Sequence, residues 1–180
     1  MRATPEPSSP STSAPAQASP EHVRPKITLP SSFQLTFEDW QSSDPVEQAV
    51  LHDGREDLRA GYAAIIANDP DSEAVTFYET EAARGQSTQW IRSYTDKNVN
   101  VIGKLPVFGP EVAVGDNGVT ALLSYCTDES KAYTKHRETG EVVGNPAGTD
   151  PEVFYQVSLR KNAQDVWQTA HVRGDRGGCS

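Results

Sequence analysis

The sequence predicts an α+β domain in which N-terminal helices pack on a strongly curved antiparallel sheet, joined to an extended N-terminal tail. Residues 4–20 contain only Thr, Pro, Ser and Ala apart from Glu6 and Gln17. Apolar residues recur at spacings of three and four between residues 44 and 94, and at a spacing of two from residue 97 onward. Helices followed by a strand meander are typical of α+β rather than parallel α/β domains.

The tail is predicted to be a disordered tether over residues 1–43, with the folded domain at residues 44–180. The stretch TPEPSSPSTSAPAQASP cannot bury enough apolar area to offset its chain entropy, and its prolines extend it. A second piece, VRPKITLPSSFQLTFEDW, adds apolar side chains and can continue the tether or dock on the domain. Pro25 and Pro30 interrupt strand pairing, which favours the tether.

Two helical stretches are predicted at the start of the domain. The first begins at Ser43 or Asp44, either of which can cap a helix with proline in its first turn, and it ends near Ala67. Its apolar face carries Val46, Ala49, Val50, Leu58, Gly61, Tyr62, Ile65 and Ile66. The second covers roughly residues 72–94 and is broken near Gly85.

The rest of the chain is predicted to form an antiparallel meander. Apolar residues alternate from Val99 to Leu105, and the DNG at residues 116–118 predicts a hairpin turn before the strand VTALLSYCT. A polar excursion at residues 128–150 forms either a long hairpin turning at residues 138–140 or an irregular loop. VFYQVSLR and VWQTAHVR follow as the last strands. A curved sheet wrapped around the helices would bury both sets of apolar faces.

Length and charge restrict the function classes. A chain of 180 residues suits one domain plus a tail. The net charge is −9 and the Lys and Arg residues are scattered, so no basic stripe exists for phosphates, and we expect neither nucleic acid nor an anionic membrane surface as a partner. No run of about 18 apolar residues occurs that would span a membrane. Metalloprotease, α/β-hydrolase, dinucleotide and P-loop motifs are absent from the sequence.

Several short motifs follow one another from about Asp44 to Cys179. They are the helix carrying Tyr62, the stretch YETEAARGQSTQWIRSYTDKNVNVIG, the strand end SYCTDES, the later TG, and the closing W…RGDRGGC. In these motifs the chain resembles small extracytoplasmic lipoproteins of actinobacteria whose folded part is NTF2-like (cystatin-like). The resemblance implies helices closing over the concave side of a bent sheet, and a protein that is secreted or attached to the outer face of the cell membrane.

Proteins of that kind usually carry an export signal and a lipid-modified cysteine ahead of a tether rich in Pro, Ser and Thr. This chain shows the tether, while its N-terminus lacks the charged and apolar regions of a signal peptide. A segment removed before Met1 would explain the difference. The native N-terminus and the lipid anchor therefore stay open.

Cys126 and Cys179 are expected to form a disulfide. In an exported domain, one cysteine on a strand and one in the C-terminal tail favour a staple that closes a loop of about fifty residues. Zinc lacks support because no CxxC or HxxxH spacing supplies further ligands. A catalytic thiol has less support still, since neither cysteine has a neighbouring histidine.

We predict no catalytic residue, no cofactor and no metal ligand. The candidates for lining a pocket in the cone are Tyr62, Trp90, Tyr94, Tyr125, Asp128 and Tyr155. Aromatic residues at such spacings are more often core, and Asp128, directly after a strand, is typical of a turn residue that accepts backbone N–H bonds. The polar excursion is the candidate partner loop, through Lys131, Lys135, His136 and Arg137.

These observations favour a non-enzymatic secreted or envelope-attached domain that binds a protein partner or a small apolar ligand. The alternative is an isomerase-like or cyclase-like enzyme, which requires a roomy pocket with a carboxylate within reach of a tyrosine. A third hypothesis, an assembly component of a secretion, conjugation or cell-wall apparatus, follows from the resemblance alone. Pairing of two cones into a homodimer also stays open.

Overall fold

A computed structural model describes residues 23–179, which form three helices and seven strands. The elements in chain order are β1 (Phe33–Phe37), α1 (Pro45–Ala67), α2 (Glu73–Tyr78), α3 (Glu81–Thr95), β2 (Val99–Val114), β3 (Thr120–Asp128), β4 (Lys131–His136), β5 (Val142–Val143), β6 (Glu152–Lys161) and β7 (Trp167–Arg176). Apart from β1, the helices come first and the antiparallel strands follow. The predicted α+β class is confirmed.

The strands from β2 onward form one antiparallel sheet in the order β5-β4-β2-β3-β6-β7. The first half of β2 pairs with β4 and the second half with β3. The register shifts between Phe108 and Glu111, where Gly109 has a φ of 60°. A second shift lies between Ser158 and Leu159, where β6 pairs with β7. Such bulges bend and twist a sheet, and this sheet curls into the predicted half-barrel around the helices.

Helix α1 begins and ends where the sequence predicts. The Asp44 carboxylate caps it by accepting hydrogen bonds from the backbone N–H groups of Val46 (2.8 Å) and Glu47 (3.0 Å). Asn68 ends it in the left-handed conformation, with a φ of 59°. The buried face of α1 lies in the concavity of the sheet and contacts β2, β3 and β7.

The predicted break at Gly85 is wrong. Gly85 lies inside α3, and a Cβ added there would meet nothing within 4 Å. The chain instead leaves the helical conformation at Glu79, where the backbone N–H of Thr80 donates to the carbonyl oxygen of Thr169 in β7 (2.9 Å). Pairing with a distant strand, rather than local glycine flexibility, determines the position of this break.

Residues 23–43 pack on the domain, which corrects the predicted boundary at residue 44. Their buried apolar side chains are Ile27, Phe33 and Trp40. β1 runs parallel to β2 and pairs with it over five residues. Both prolines of this segment precede β1 and therefore interrupt no pairing. The rest of the predicted tether, residues 1–22, lies outside the described residues.

A buried carboxylate on α1 holds the start of this segment. Asp53 is only 1% exposed, and it accepts hydrogen bonds from the Arg24 guanidinium and from the backbone N–H of Trp167 in β7 (2.8 Å). The imidazole Nδ1 of His52 lies 3.0 Å from the same carboxylate. Arg24 thus supplies the positive charge that a buried carboxylate requires.

The predicted disulfide is present. Cys126 in β3 is bonded to Cys179, which follows β7, and their Cα atoms are 6.0 Å apart. The bond connects positions 53 residues apart in sequence. It attaches the C-terminal tail to a strand in the middle of the sheet, which stabilises the tail against fraying.

The polar excursion forms a hairpin rather than an irregular loop at its start. β4 pairs with β5, and the backbone N–H of His136 donates to the carbonyl oxygen of Glu141 (2.8 Å). The turn therefore lies at residues 137–140, next to the predicted position. Within residues 23–179 we find no helix with the length and hydropathy needed to cross a membrane.

Replacing Arg24 with alanine should destabilise the fold, because Asp53 then stays buried without its cation. The Arg24 side chain is 37% exposed, so solvent screening reduces the cost below that of a fully buried pair, and we expect a loss of about 1–3 kcal/mol in the free energy of unfolding. Urea denaturation followed by tryptophan fluorescence measures it. The exposed Lys26→Ala is the matched control, with an expected change below about 0.5 kcal/mol. Equal stability of the two variants would contradict a stabilising role for the ion pair.

Candidate functional site

A cavity of about 230 Å³ lies inside the cone, between the helices and the sheet. The helical wall contributes Gly54, Asp57, Leu58, Gly61, Tyr62, Glu79, Gln86, Ser87 and Trp90. The sheet wall contributes Leu123, Tyr125, Thr127, Tyr155, Val157, Thr169, Val172 and Gly174 from β3, β6 and β7. An apolar and aromatic lining with a few convergent polar groups is typical of small-molecule sites.

Two glycines on α1 allow the helix to lie close to the sheet and to α3. Gly54 and Gly61 are seven residues apart and therefore share one helix face. A Cβ at Gly54 would lie 2.5 Å from Cδ2 of Leu123, and a Cβ at Gly61 would lie 2.7 Å from Cζ3 of Trp90. A glycine inside a helix is less stable than alanine by about 0.5–1 kcal/mol. Close packing around the cavity therefore outweighs helix propensity at both positions.

Asp57 lies between these glycines and lines the cavity. Its Oδ2 accepts a hydrogen bond from the hydroxyl of Thr169 in β7 (2.6 Å), whereas its buried Oδ1 has no partner among the described residues. Burial raises the pKa of the Asp57 carboxyl well above its ordinary value, and the nearby Glu79 raises it further. The hydrogen bond from Thr169 acts in the opposite direction.

Glu79 is the second acidic group of the cavity and is 3% exposed. Its Oε1 accepts a hydrogen bond from the Ser87 hydroxyl, and its Oε2 has no partner within the described chain. Burial raises the pKa of Glu79, although Ser87 and the positive charge of Arg84 lower it. Asp57 and Glu79 thus line the same cavity and interact electrostatically, and each carboxyl group uses one oxygen and leaves the other, buried, without a partner among the described residues. We call these two residues the acid pair.

Four aromatic rings surround this acid pair. Tyr62 meets Trp90 edge to face, with ring centroids 5.3 Å apart, and Tyr125 stacks on Tyr155 at 5.4 Å. Burial raises the pKa of Tyr155 to about 12 and also raises the pKa values of Tyr62 and Tyr125. The three phenols are therefore neutral at physiological pH and offer hydroxyl groups to the interior.

Four of the six predicted pocket residues line the cavity: Tyr62, Trp90, Tyr125 and Tyr155. Tyr94 packs against Trp90 with ring centroids 6.0 Å apart and is not part of the lining. Asp128 is not part of the lining: it is the last residue of β3, and its Oδ1 accepts from the backbone N–H of Ser130 (2.8 Å) in the turn that follows. It therefore accepts a backbone N–H bond as expected, from the end of the strand rather than from the turn itself.

The candidate partner loop contains one residue that is engaged inside the molecule. The guanidinium of Arg137 donates to the carbonyl oxygens of Ile65 (2.6 Å) and Ile66 (3.1 Å), so it caps the C-terminal end of α1. The Nδ1 of His136 is 3.2 Å from the backbone N–H of Thr139, across its own turn. Lys131 and Lys135 are exposed, and their contact with a partner stays a prediction.

Sequence reasoning missed both acidic residues of the cavity. Asp57 lies next to Leu58 on the predicted apolar face of α1. An acidic residue on an apolar face is a pattern that could have identified Asp57 as a site residue. Glu79 gave no signal, because its position depends on the break between α2 and α3. In residues 23–179, no three His, Cys, Asp or Glu side chains come together in a group that would hold a metal ion.

The α3 side of the cavity is attached to β7 by one side chain. The amide of Gln86 donates through Nε2 to the carbonyl oxygen of Val172 (2.8 Å) and accepts through Oε1 from the backbone N–H of the same residue (3.3 Å). Gln86 and Val172 both line the cavity. This pair of bonds therefore joins the two walls.

Comparison with known proteins gives fold likenesses only. No protein-family model and no curated protein sequence matches the chain. The intermembrane space region of the chloroplast protein ARC6 shares 9% identity and a TM-score of 0.50, over 76% of this chain and 100% of that region. Helices seated in the concave face of a curled antiparallel sheet are the arrangement that the resemblance implied. The fold is α+β, with helices on a strongly curled antiparallel sheet.

Two further solved structures are similar at a lower level. A protein from Catenulispora acidiphila has 11% identity and a TM-score of 0.48, over 71% of this chain and 91% of that one. A ketosteroid isomerase-like protein from Erwinia carotovora atroseptica has 19% identity and a TM-score of 0.43, over 69% of this chain and 93% of that one. Neither likeness assigns a ligand or an activity to this chain.

Replacing Asp57 with asparagine should change how stability depends on pH. Because the folded-state pKa of Asp57 is raised, its protonated form stabilises the fold fully below the ordinary value of 3.8, and this contribution is lost as pH rises through the raised pKa. Wild type should therefore lose stability relative to Asp57→Asn as pH rises from below 3.8 through the raised pKa of Asp57.

Urea denaturation at several pH values measures this difference. Asp116→Asn, in the exposed turn between β2 and β3, is the matched control and should follow the wild-type profile. Parallel profiles of wild type and Asp57→Asn would show that Asp57 is not held in its protonated form.

Proposed function

We propose that this chain is a non-enzymatic, extracytoplasmic NTF2-like domain that binds a compact, mainly apolar small molecule inside its cone. The cavity of about 230 Å³ with its four aromatic rings and two buried carboxyl groups is the observation that supports this function. Drug-sized molecules occupy pockets of about 300–1,000 Å³, whereas a cavity of about 150 Å³ holds benzene. The ligand is therefore about the size of one ring with a short substituent.

The cost of the cavity to the fold also supports a binding role. Two helical glycines reduce the stability of α1, and the carboxyl groups of Asp57 and Glu79 each leave one buried oxygen without a partner in residues 23–179. A buried polar atom without a hydrogen bond is destabilising by about 1–3 kcal/mol. A polar group on a ligand would supply hydrogen bonds to these oxygens. If the domain bound no ligand, apolar side chains in place of the two acidic residues would make the fold more stable.

The extracytoplasmic location is part of the proposal. The disulfide between Cys126 and Cys179 supports it, because such bonds form and persist in oxidising compartments and are rare in the cytosol. We further propose that the domain is secreted or attached to the outer face of the cell membrane.

Binding is tested by titration calorimetry with three probes that share one ring and one chain length: ethylbenzene, 2-phenylethanol and 2-phenylethylamine. At least one should bind to wild type. Val157→Phe, which fills the cavity from β6, should weaken that binding by at least about tenfold. The matched control is Val119→Phe, at a valine that is 48% exposed outside the cavity. Failure of all three probes, or unchanged binding by folded Val157→Phe, would refute the proposed function.

A second candidate, an isomerase-like enzyme, has one observation in its favour. Tyr125 and Asp57 both line the cavity and interact electrostatically. In such an enzyme the Asp57 carboxylate would take a proton from the carbon next to a carbonyl group and return it to another carbon, while Tyr125 would donate a hydrogen bond to the carbonyl oxygen. A protonated carboxyl group cannot act as this base, and burial favours the protonated form of Asp57.

Exchange of deuterium from D₂O into 1-phenylpropan-2-one, followed by NMR, separates the two candidates. For a binding domain, the exchange rate should equal that of the buffer at neutral pH. Catalysed exchange that Asp57→Asn abolishes, while Asp116→Asn retains it, would favour the enzyme instead.

A further inference from the structure

We infer that the ligand of the cavity is a compact organic cation, an ammonium group carried on a single-ring or similarly small apolar body. The inference rests on the proposed function and adds the charge of the ligand to it. The geometry that points to it is a cavity whose described lining combines two acidic side chains and four aromatic rings with no basic side chain.

The charges of the cavity wall are all of one sign. Among the described residues its lining includes Asp57 and Glu79 and contains no Lys, Arg or His. Glu79 is 3% exposed and lines the cavity, and within residues 23–179 neither its Oε2 nor the Oδ1 of Asp57 has a hydrogen-bond partner. By contrast, Asp53, the buried carboxylate one helical turn before Asp57, is paired with Arg24. The fold therefore neutralises one buried carboxylate of α1 from within the chain and leaves the next one to a ligand.

The aromatic rings suit the same ligand. Tyr62 and Trp90 approach from the helices, and Tyr125 and Tyr155 from the sheet. A cation close to the faces of such rings is attracted by their quadrupoles, and aromatic cages are a general means of binding ammonium groups. The apolar body of the ligand would pack against Leu58, Leu123 and Val157 of the same cavity.

A neutral ligand with a hydrogen-bond acceptor is the competing possibility, and proton counting separates it from a cation. An ammonium group binds to an ionised carboxylate, so its binding releases a proton and becomes tighter as pH rises. A carbonyl or hydroxyl acceptor needs the carboxyl O–H group, so its binding weakens as pH rises. Alkylammonium groups resemble the Lys side chain, whose pKa is about 10.4, and stay charged throughout this range.

The other charged or titratable groups around the acid pair affect this dependence only weakly. From α3, Arg84 interacts with Glu79 outside the lining. The phenols of Tyr62, Tyr94, Tyr125 and Tyr155 have raised pKa values and stay neutral. Glu129 and Arg176 pair with each other at 2.6 Å. The proton released on binding therefore comes from Asp57 or Glu79.

The test compares 2-phenylethylamine with 2-phenylethanol on the full chain, by calorimetry at about pH 5 and about pH 8 in buffers of different ionisation enthalpy. We expect the amine to bind at least about tenfold more tightly than the alcohol at the higher pH, with proton release, and to lose most of this advantage at the lower pH. In Asp57→Asn and in Glu79→Gln the advantage should fall by about tenfold or more.

Glu56→Gln is the matched control. Glu56 precedes Asp57 in α1 but lies close to Arg55 and Arg59 outside the cavity lining, so its replacement should leave the preference for the amine unchanged. Binding of the alcohol as tightly as the amine, or amine binding that neither acidic substitution weakens in a folded variant, would overturn the inference while leaving the proposed function intact. Failure of both probes and of ethylbenzene would refute the proposed function itself.

Discussion

Two hydrogen bonds between α1 and β7 determine the geometry of the whole cone. Asp53 accepts from the backbone N–H of Trp167, and Asp57, one helical turn later, accepts from the hydroxyl of Thr169. Together they fix both the height and the rotation of the helix over the curled sheet. The orientation of the α1 glycines toward the sheet and α3 follows from this rotation, and so does the cavity between the two walls.

The same two carboxyl groups lie in different electrostatic surroundings. One is paired with a cation of the chain and stabilises the fold, and the other is available for binding. Arg24 reaches Asp53 from the segment before β1, so that charge is compensated and serves the structure. No cation of the described chain reaches Asp57 in this way, and the negative charge of Glu79 acts on it. The presence or absence of a paired cation thus distinguishes Asp53, a structural group, from Asp57, a candidate binding group four residues later on the same helix.

The elements that depend on local chemistry were predictable from the sequence. Asp44 and Asn68 limit α1 by capping and by a left-handed turn, and these preferences are intrinsic to the residues. The break at Glu79 was not predictable, and the docking of residues 23–43 was only one of two alternatives, because each depends on a strand that comes much later in the chain. Pro25 and Pro30 gave a misleading signal, since they lie ahead of β1 and not within it.

The aromatic half of the site was predictable and the acidic half was not, for a physical reason. Tyr125 and Tyr155 alternate with their neighbours along two strands and are directly opposite each other in the sheet, so strand periodicity alone places them on one face. Asp57 and Glu79 come together only after α1, the break between α2 and α3, and β7 have all assembled. An acidic residue on an apolar helix face is the one local sign of this arrangement, and it identifies Asp57 without its partner.

The two hydrogen bonds between Gln86 and Val172 also affect whether a second copy of the protein can pair with the edge of the sheet. β7 is an outer strand of the sheet, and an open strand edge is a template on which a second chain can add by backbone pairing. Gln86 occupies both backbone groups of Val172 as a neighbouring strand would, and Thr80 occupies the carbonyl oxygen of Thr169. At the opposite border, β5 is only two residues long. One border is covered and the other is short, so the curled sheet offers little to the edge-to-edge growth that leads to aggregation.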